Sequence, residues 1–259
     1  MKDTQNQPDY RKIPIDKVGI KGLKYPVKVL DKKIGVQSTV AQISMYVDLP
    51  HQCKGTHMSR FVEILHLSRT KVSLESLTKI LEDMKKILGA ESSHIEITFP
   101  YFIEKRSPAT GSKGLMDITC SIIGSSNEKK NTDIVLKVAV PVTLVCPGSK
   151  EISDFGAHNQ RGEVLVSTRF KKFIWIEDIV NFVEASASCD LFSVLKKEDE
   201  KFVTEKAYNN PKFVEDIVRD VAKKIMADDN ITWFSVSAES FDSIHNHSAY
   251  AYTEKSSVV

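Results

Sequence analysis

The chain of 259 residues lacks several features that would mark a specialised class of protein. Its cysteines are few and widely spaced, which argues against a disulfide framework and favours a reducing, cytoplasmic compartment. No apolar run is long enough to cross a membrane, and the polar residues 1–14 lack the apolar core of a secretory signal. The formal net charge of +2 gives no electrostatic case for binding nucleic acid or a membrane surface. The composition that remains is ordinary for a soluble globular protein.

Hydrophobic periodicity predicts a mixed α+β fold. Alternating or β-branched apolar runs predict strands at 13–30, 36–49, 94–104, 114–123, 133–146, 163–173, 231–241 and 246–252. Apolar residues at helical spacing predict helices at 60–67, 74–88, 176–185, 196–208 and from 211 onward. The expected N-cap residues are Ser59, Ser73 and Asn210, for the helices that begin near 60, 74 and 211. Gly89 is expected to end the second helix.

The order of elements occurs twice along the chain. Two strands, helices and two further strands are predicted on either side of a polar linker at 124–131. We therefore expect antiparallel sheets with helices layered on one face, in two modules at 1–125 and 126–259. The alternative is one mixed domain whose elements merely recur.

A candidate metal site lies at the strand end 145–161. The β-branched run stops at Cys146-Pro147-Gly148, and His158 precedes the next predicted strand. Pairing of the two strands would bring the thiol and the imidazole together, and sulfur with nitrogen suits a zinc-type divalent metal. A buried structural cysteine and a loop histidine are the alternative interpretation, since two ligands do not make a site.

Other polar residues are candidates to complete that site. His245 and His247 would share one face of an extended strand, as a ligand pair or a solvated edge. The carboxylates at 198–200 lie in a charged run that is typical of a solvated helix face. Glu215 stands beside the apolar stripe of the last helix, so it would be either partly buried against a donor such as a guanine edge or salt-bridged at the surface.

Long motifs make the chain similar to GTP cyclohydrolase type IB. They are the stretches 48–51 and 54–60, Cys146 to Arg161, and Ile244 to Ala251, with a further likeness at 13–23. The resemblance covers about Ile13 to Tyr252, nearly the whole chain. It implies tandem tunnelling-fold modules, a homotetramer with active sites between subunits, and conversion of GTP and water to 7,8-dihydroneopterin triphosphate and formate. It also implies a divalent metal, zinc or manganese.

The resemblance also implies roles for individual residues. Cys146, His158 and Glu200 match the thiolate, imidazole and carboxylate metal ligands, and the first two are catalytic. Glu215 matches the glutamate that anchors guanine, and His245 with His247 matches the C-terminal histidine motif in the substrate site. The triphosphate is expected near His57 and Arg60. Some members carry cysteine at the position of Gly148, so in this chain Cys146 would be the sole sulfur ligand of the metal.

Two other functions remain open from the sequence. A related tunnelling-fold enzyme acting on another purine or pterin, such as a 7-deazaguanine enzyme, could share the glutamate anchor. A non-catalytic metal- or nucleotide-binding module would hold a metal in a closed coordination sphere and release no formate.

Overall fold

The computed structural model describes residues 5, 7–67, 71–129 and 131–256. In chain order its elements are β1 Ile15–Asp31, β2 Gly35–Leu49, α1 Met58–Leu67, β3 Lys71–Val72, α2 Leu74–Leu88, β4 Ser93–Arg106, β5 Lys113–Ser126, β6 Thr132–Val145, α3 Pro147–Ile152, β7 Asn159–Phe170, α4 Ile176–Glu184, β8 Cys189–Asp190, α5 Lys197–Asn209, α6 Val214–Met226, β9 Ile231–Ser240 and β10 Ala249–Ser256. The predicted α+β class is confirmed.

The chain divides into two compact units. One contains Met1–Pro100 and Ser121–Leu136, and the other contains Tyr101–Cys120 and Lys137–Val259. Strands β4, β5 and β6 each contribute residues to both units. The predicted module boundary at residue 125 stays a prediction.

The first unit is built on long antiparallel strands. β2 pairs antiparallel with both β1 and β4, and the short β3 pairs parallel with β1. The pairing of β1 with β2 shifts register near Gly22, whose φ of 71° places it in the left-handed region that glycine adopts readily. The glycine therefore accommodates the irregularity within the strand that the sequence predicts at 13–30.

Helix α2 shows how local sequence sets an element's limits. The N–H of Ser76 donates to the Ser73 hydroxyl, and the N–H of Ser73 donates to the Ser76 hydroxyl, so both orphan donors are satisfied. Gly89 ends the helix with a φ of 68°. Leu77, Leu81 and other residues of its apolar stripe are fully buried. The predicted start, end and buried face are confirmed.

The second unit places the candidate site residues. β9 pairs antiparallel with β7 and with β10, and β8 pairs antiparallel with β6. Helix α6 packs on β9 and β10 and against α4. The core between them contains Val166, Ile217, Val221, Phe234 and Val236. Strands with alternating polarity and helices with one apolar face bury their apolar side chains when the helices pack over the sheet.

Three sequence-predicted boundaries are wrong. Helix α1 begins at Met58, so Ser59 lies inside its first turn rather than before it. Strand β5 runs to Ser126, which places the first residues of the predicted linker in the sheet. Helix α6 begins at Val214 rather than after Asn210, because Asp216 accepts the N–H of Phe213 and so caps the helix there.

The side chain of Asn210 has a different role from the predicted helix cap. Its amide donates to the carbonyl oxygens of Ala187 and Ser188, at 2.9 and 3.3 Å. Asn210 therefore ties the end of α5 to the segment before β8. Among the helices of the described residues, none has the length and apolar character that a membrane crossing needs.

Candidate functional site

Cys146 stands where β6 gives way to α3. It is the N-cap of the short helix, with Pro147 at the first helical position, which suits a residue without an N–H. The N–H of Ser149 donates to the Cys146 sulfur at 3.4 Å, and the Ser149 hydroxyl donates to the Cys146 carbonyl at 3.2 Å. The thiol is partly exposed and oriented by the turn that follows it.

The same turn brings His158 to Cys146. The N–H of Cys146 donates to the carbonyl of His158 at 3.2 Å. The N–H of His158 donates to the Ser149 hydroxyl, also at 3.2 Å. The predicted meeting of the thiol residue and the imidazole residue is therefore found, and Ser149 joins them.

The imidazole of His158 is held from one side. Its Nδ1 lies 2.9 Å from the amide oxygen of Gln160, and 3.8 Å from a carboxylate oxygen of Asp242. Both the His158 and Asp242 side chains are 13% exposed. The hydrogen bond from the Ile244 N–H holds the pKa of Asp242 below its usual value, and the charge of His158 acts in the same direction. Sequence reasoning missed both partners, although residues 158 and 160 alternate onto one face of an extended segment.

Glu200 lies at the start of α5, on the helix face that turns toward the Cys146 segment. Glu200, Val203 and Ala207 follow the spacing that puts side chains on one face of a helix. Ala207 and Val145 belong to one buried cluster, against which Val203 and Ala157 pack. Val145 directly precedes the predicted thiolate ligand, and Ala157 directly precedes the predicted imidazole ligand. The Glu200 side chain itself is exposed.

The charged run around Glu200 does not behave as one solvated face. Asp199 is fully buried, with 0% of its surface exposed, whereas its two glutamate neighbours are exposed. Its carboxylate accepts the N–H groups of Ala109, Thr110 and Lys196 and the hydroxyl of Thr110. Burial raises the pKa of Asp199, but these hydrogen bonds outweigh it and hold the pKa well below the usual range. Asp199 therefore anchors the start of α5.

The three predicted metal ligands are not assembled as a group within one chain. Among the described residues, no three His, Cys, Asp or Glu side chains are placed to hold a metal ion. The structure joins the main chains of Cys146 and His158 and packs Val203 and Ala207 of α5 beside Val145 and Ala157, but it does not join Glu200 to the pair. The ligand set stays a prediction.

Glu215 lies in the first turn of α6 and is exposed in the single chain. The segment just before it contacts the Cys146 turn, since the N–H of Lys212 donates to the carbonyl of Val145 at 3.0 Å. A Cβ built on Gly148 would lie 3.8 Å from both the Cys146 sulfur and the Phe213 ring. Glu215 therefore follows closely in sequence after Lys212 and Phe213, which lie against the Cys146 turn.

His245 and His247 lie in a loop, so their predicted strand placement is wrong. Strand β9 ends at Ser240 and β10 begins only at Ala249. Asp242 interrupts the strand because its carboxylate accepts the Ile244 N–H at 2.9 Å, a local turn that competes with pairing. The two imidazoles nevertheless lie together, stacked with their centroids 5.1 Å apart.

The residues expected near the triphosphate lie in the first unit. Arg60 is exposed on α1, and its guanidinium donates to the carbonyl of Ile87 at 3.2 Å. His57 directly precedes α1. Their role stays a prediction.

Comparison with known sequences identifies the family. Residues 1–251 match the family described as type I GTP cyclohydrolase folE2. The chain belongs to this family. The GTP cyclohydrolase FolE2 of Desulfosudis oleivorans is 61% identical over 251 residues, covering 97% of this chain and 96% of its own. That of Syntrophobacter fumaroxidans is 55% identical over 256 residues, covering 99% and 100%.

Solved structures share the fold with much lower sequence identity. A uricase from Bacillus fastidious matches with a TM-score of 0.56 at 7% identity, covering 93% of this chain and 92% of its own. A Bacillus sp. TB-90 urate oxidase matches with a TM-score of 0.52 at 8% identity, covering 93% and 98%. These tunnelling-fold proteins confirm the predicted fold class. The relatives confirm that this chain is a GTP cyclohydrolase enzyme, as its motifs predict.

Proposed function

We propose that this chain converts GTP and water to 7,8-dihydroneopterin triphosphate and formate, the first step of folate-type pterin synthesis. The observation that carries the proposal is the pairing of Cys146 with His158 in a chain 61% identical to a FolE2 GTP cyclohydrolase. We also propose the type IB assignment, on the motifs that contain these two residues.

The donor atoms at the pair fit a divalent metal. The His158 imidazole offers a ring nitrogen to a metal, and the Gln160 amide oxygen lies 2.9 Å from its Nδ1. The Cys146 sulfur accepts the Ser149 N–H, which orients the side chain. Sulfur, nitrogen and the carboxylate of Glu200 form a set suited to zinc, with manganese as the alternative. When bound, such a metal supplies a water of lowered pKa.

The other residues would orient GTP and move protons. The Glu215 carboxylate would accept the N–H and NH2 of the guanine edge, which turns the imidazole ring of the purine toward Cys146. Positioning of this kind contributes several kcal/mol to lowering a barrier. The stacked His245 and His247 would exchange protons with the substrate as formate leaves.

We propose a homo-oligomer, a tetramer with active sites between subunits. Large apolar side chains are exposed beside the predicted site, where a second subunit would bury them. Ile152 is 86% exposed, Phe155 98% and Ile244 64%. Glu215 is exposed in the single chain, so a second subunit could complete a substrate site around it. We place the enzyme in the cytoplasm, in keeping with the four free cysteines of the described residues.

The test is incubation of the purified chain with GTP and either zinc or manganese. Release of formate with formation of a pterin that fluoresces after oxidation is the expected result. A 7-deazaguanine substrate replaces GTP in a parallel reaction. Turnover of that substrate without formate release from GTP would reject the proposal in favour of a related enzyme, and metal binding without either reaction would indicate a binding module.

A further inference from the structure

A half-buried amide, that of Gln160, lies between His158 and the end of β9. The Gln160 oxygen faces Nδ1 of His158 at 2.9 Å, and the Gln160 nitrogen donates to the Ser240 hydroxyl at 3.0 Å. Ser240 is 4% exposed and is the last residue of β9, where it pairs with Gly162 of β7. The amide is thus held at both ends, with its oxygen toward the imidazole and its nitrogen toward the hydroxyl.

The backbone around this amide is also fixed. Gln160 lies in β7, and the N–H of Phe241 donates to the carbonyl of Arg161 at 3.0 Å, which extends the pairing of β7 and β9 beyond Ser240. A side chain carried on paired strands keeps its position better than one carried on a loop. Gln160 therefore links the His158 ring to the paired strands β7 and β9.

A carboxylate is close by but does not take the place of the amide. Asp242 lies 3.8 Å from Nδ1 of His158, which is longer than a hydrogen bond, and its oxygen already accepts the Ile244 N–H. A carbonyl oxygen accepts a hydrogen bond and cannot donate one, so the amide selects the ring form with its proton on Nδ1. The nitrogen left with a free lone pair is then Nε2.

We propose that Gln160 is a positioning residue that fixes the Nδ1–H form of His158 and presents Nε2 as the metal-binding atom, with Ser240 orienting Gln160. The inference deepens the proposed function, since it assumes that His158 binds the metal. Its first half, the choice of ring form, holds without any metal.

The first experiment measures that ring form in the metal-free wild-type protein. Nitrogen NMR of 15N-histidine-labelled chain, with His158→Ala to assign the signal, should show the His158 proton on Nδ1. A proton on Nε2 would overturn the proposal. In Gln160→Leu the Nδ1–H form should lose its excess, whereas Gln42→Leu, an exposed glutamine on β2, should leave the spectrum unchanged.

The second experiment titrates Co2+ into metal-free proteins and follows the visible absorption of the bound ion. Gln160→Leu should raise the dissociation constant about 10- to 100-fold, the usual effect of losing the partner of a metal-binding histidine. Gln160→Glu keeps an acceptor at Nδ1 and should restore binding, and Ser240→Ala should give a smaller loss than Gln160→Leu.

The outcomes separate the inference from the proposed function. If His158→Ala binds Co2+ as tightly as wild type, the ligand assignment is wrong and the proposed function fails. If His158→Ala loses Co2+ but Gln160→Leu and Ser240→Ala both bind as wild type, the positioning role is wrong while the ligand assignment stands. The NMR measurement on wild type decides the ring form even if a variant fails to fold.

Discussion

The N–H of Cys146 donates to the carbonyl of His158 at 3.2 Å, closing the turn that contains α3. One backbone hydrogen bond therefore holds the main chains of the two candidate ligands together. The Ser149 hydroxyl adds a second link, since it accepts the His158 N–H and donates to the Cys146 carbonyl. Two candidate ligands are thus held in place before any metal binds.

Replacing the thiol should abolish activity without unfolding the protein. We expect Cys146→Ala to release no formate and to bind zinc at least 100-fold more weakly. The lost cap on the Ser149 N–H should cost no more than about 1–2 kcal/mol of unfolding free energy. Zinc titration, formate assay and denaturant unfolding measure the three effects. Cys53→Ala, which removes a thiol in the loop after β2, is the control, and formate release by Cys146→Ala at the wild-type rate would contradict the ligand role.

A second thiol should strengthen metal binding. A Cβ at Gly148 would meet the Cys146 sulfur and the Phe213 ring at 3.8 Å, which is ordinary contact, so Gly148→Cys should fit. We expect it to lower the zinc dissociation constant about tenfold or more, because thiolate is a preferred zinc ligand. Gly148→Ala is the matched control and should bind zinc as wild type does. Equal affinity in the cysteine and alanine variants would show that this position does not face the metal.

Removal of the guanine anchor should weaken GTP binding and leave the metal in place. Glu215→Gln should raise KM for GTP about 10- to 100-fold, the cost of losing a charge-assisted hydrogen bond. Zinc content should not change, because Glu215 is not among the predicted ligands. Glu205→Gln, an exposed glutamate on α5, serves as the control. A wild-type KM in Glu215→Gln would remove Glu215 from the substrate site.

Asp199 should stabilise the fold in a pH-dependent way. Its folded pKa is depressed, so its contribution is present above the unfolded pKa of about 3.9 and is lost as the pH falls. We expect Asp199→Asn to melt more than about 3 °C below wild type at pH 7. The difference should shrink below about pH 4, where the unfolded chain binds the proton more readily. Thermal melts between pH 3 and pH 8 test this, and a constant difference across that range would contradict it.

Removing the cation from a buried ion network in the second unit should destabilise the fold. Lys105 is 10% exposed and contacts Glu184 at 2.6 Å and Asp190 at 3.0 Å, both of them less than 20% exposed. Lys105→Met should lower the unfolding free energy by about 3–5 kcal/mol, since it takes the close cation away from the buried Glu184 carboxylate, while Asp190 keeps Lys206 at 2.9 Å. Lys201→Met removes an exposed pair on α5 and should change it by less than about 1 kcal/mol. Denaturant unfolding compares the two, and equal small losses would show that the buried network contributes little.

Local sequence determined the elements and the chemistry of the candidate site. Helix α2 follows from Ser73, an apolar stripe and Gly89, all of which act within a few residues of one another. The break at Pro147 and Gly148 likewise determined where β6 ends and where Cys146 stands. The family motifs supplied Glu200, which neither charge nor spacing distinguishes from its neighbours, and gave a role to Glu215, which its position beside the apolar stripe of α6 had already marked.

Only the tertiary structure decided which polar side chains hold these residues. Asp199 and Glu200 are chemically alike and adjacent in sequence, yet Asp199 is buried because its donors come from the turn between β4 and β5. Gln160 acquires its role from Ser240, a partner on another strand. Such pairings depend on groups far apart along the chain, so no local pattern encodes them. The physical reason is that burial and hydrogen-bond satisfaction are settled when distant strands and helices pack together.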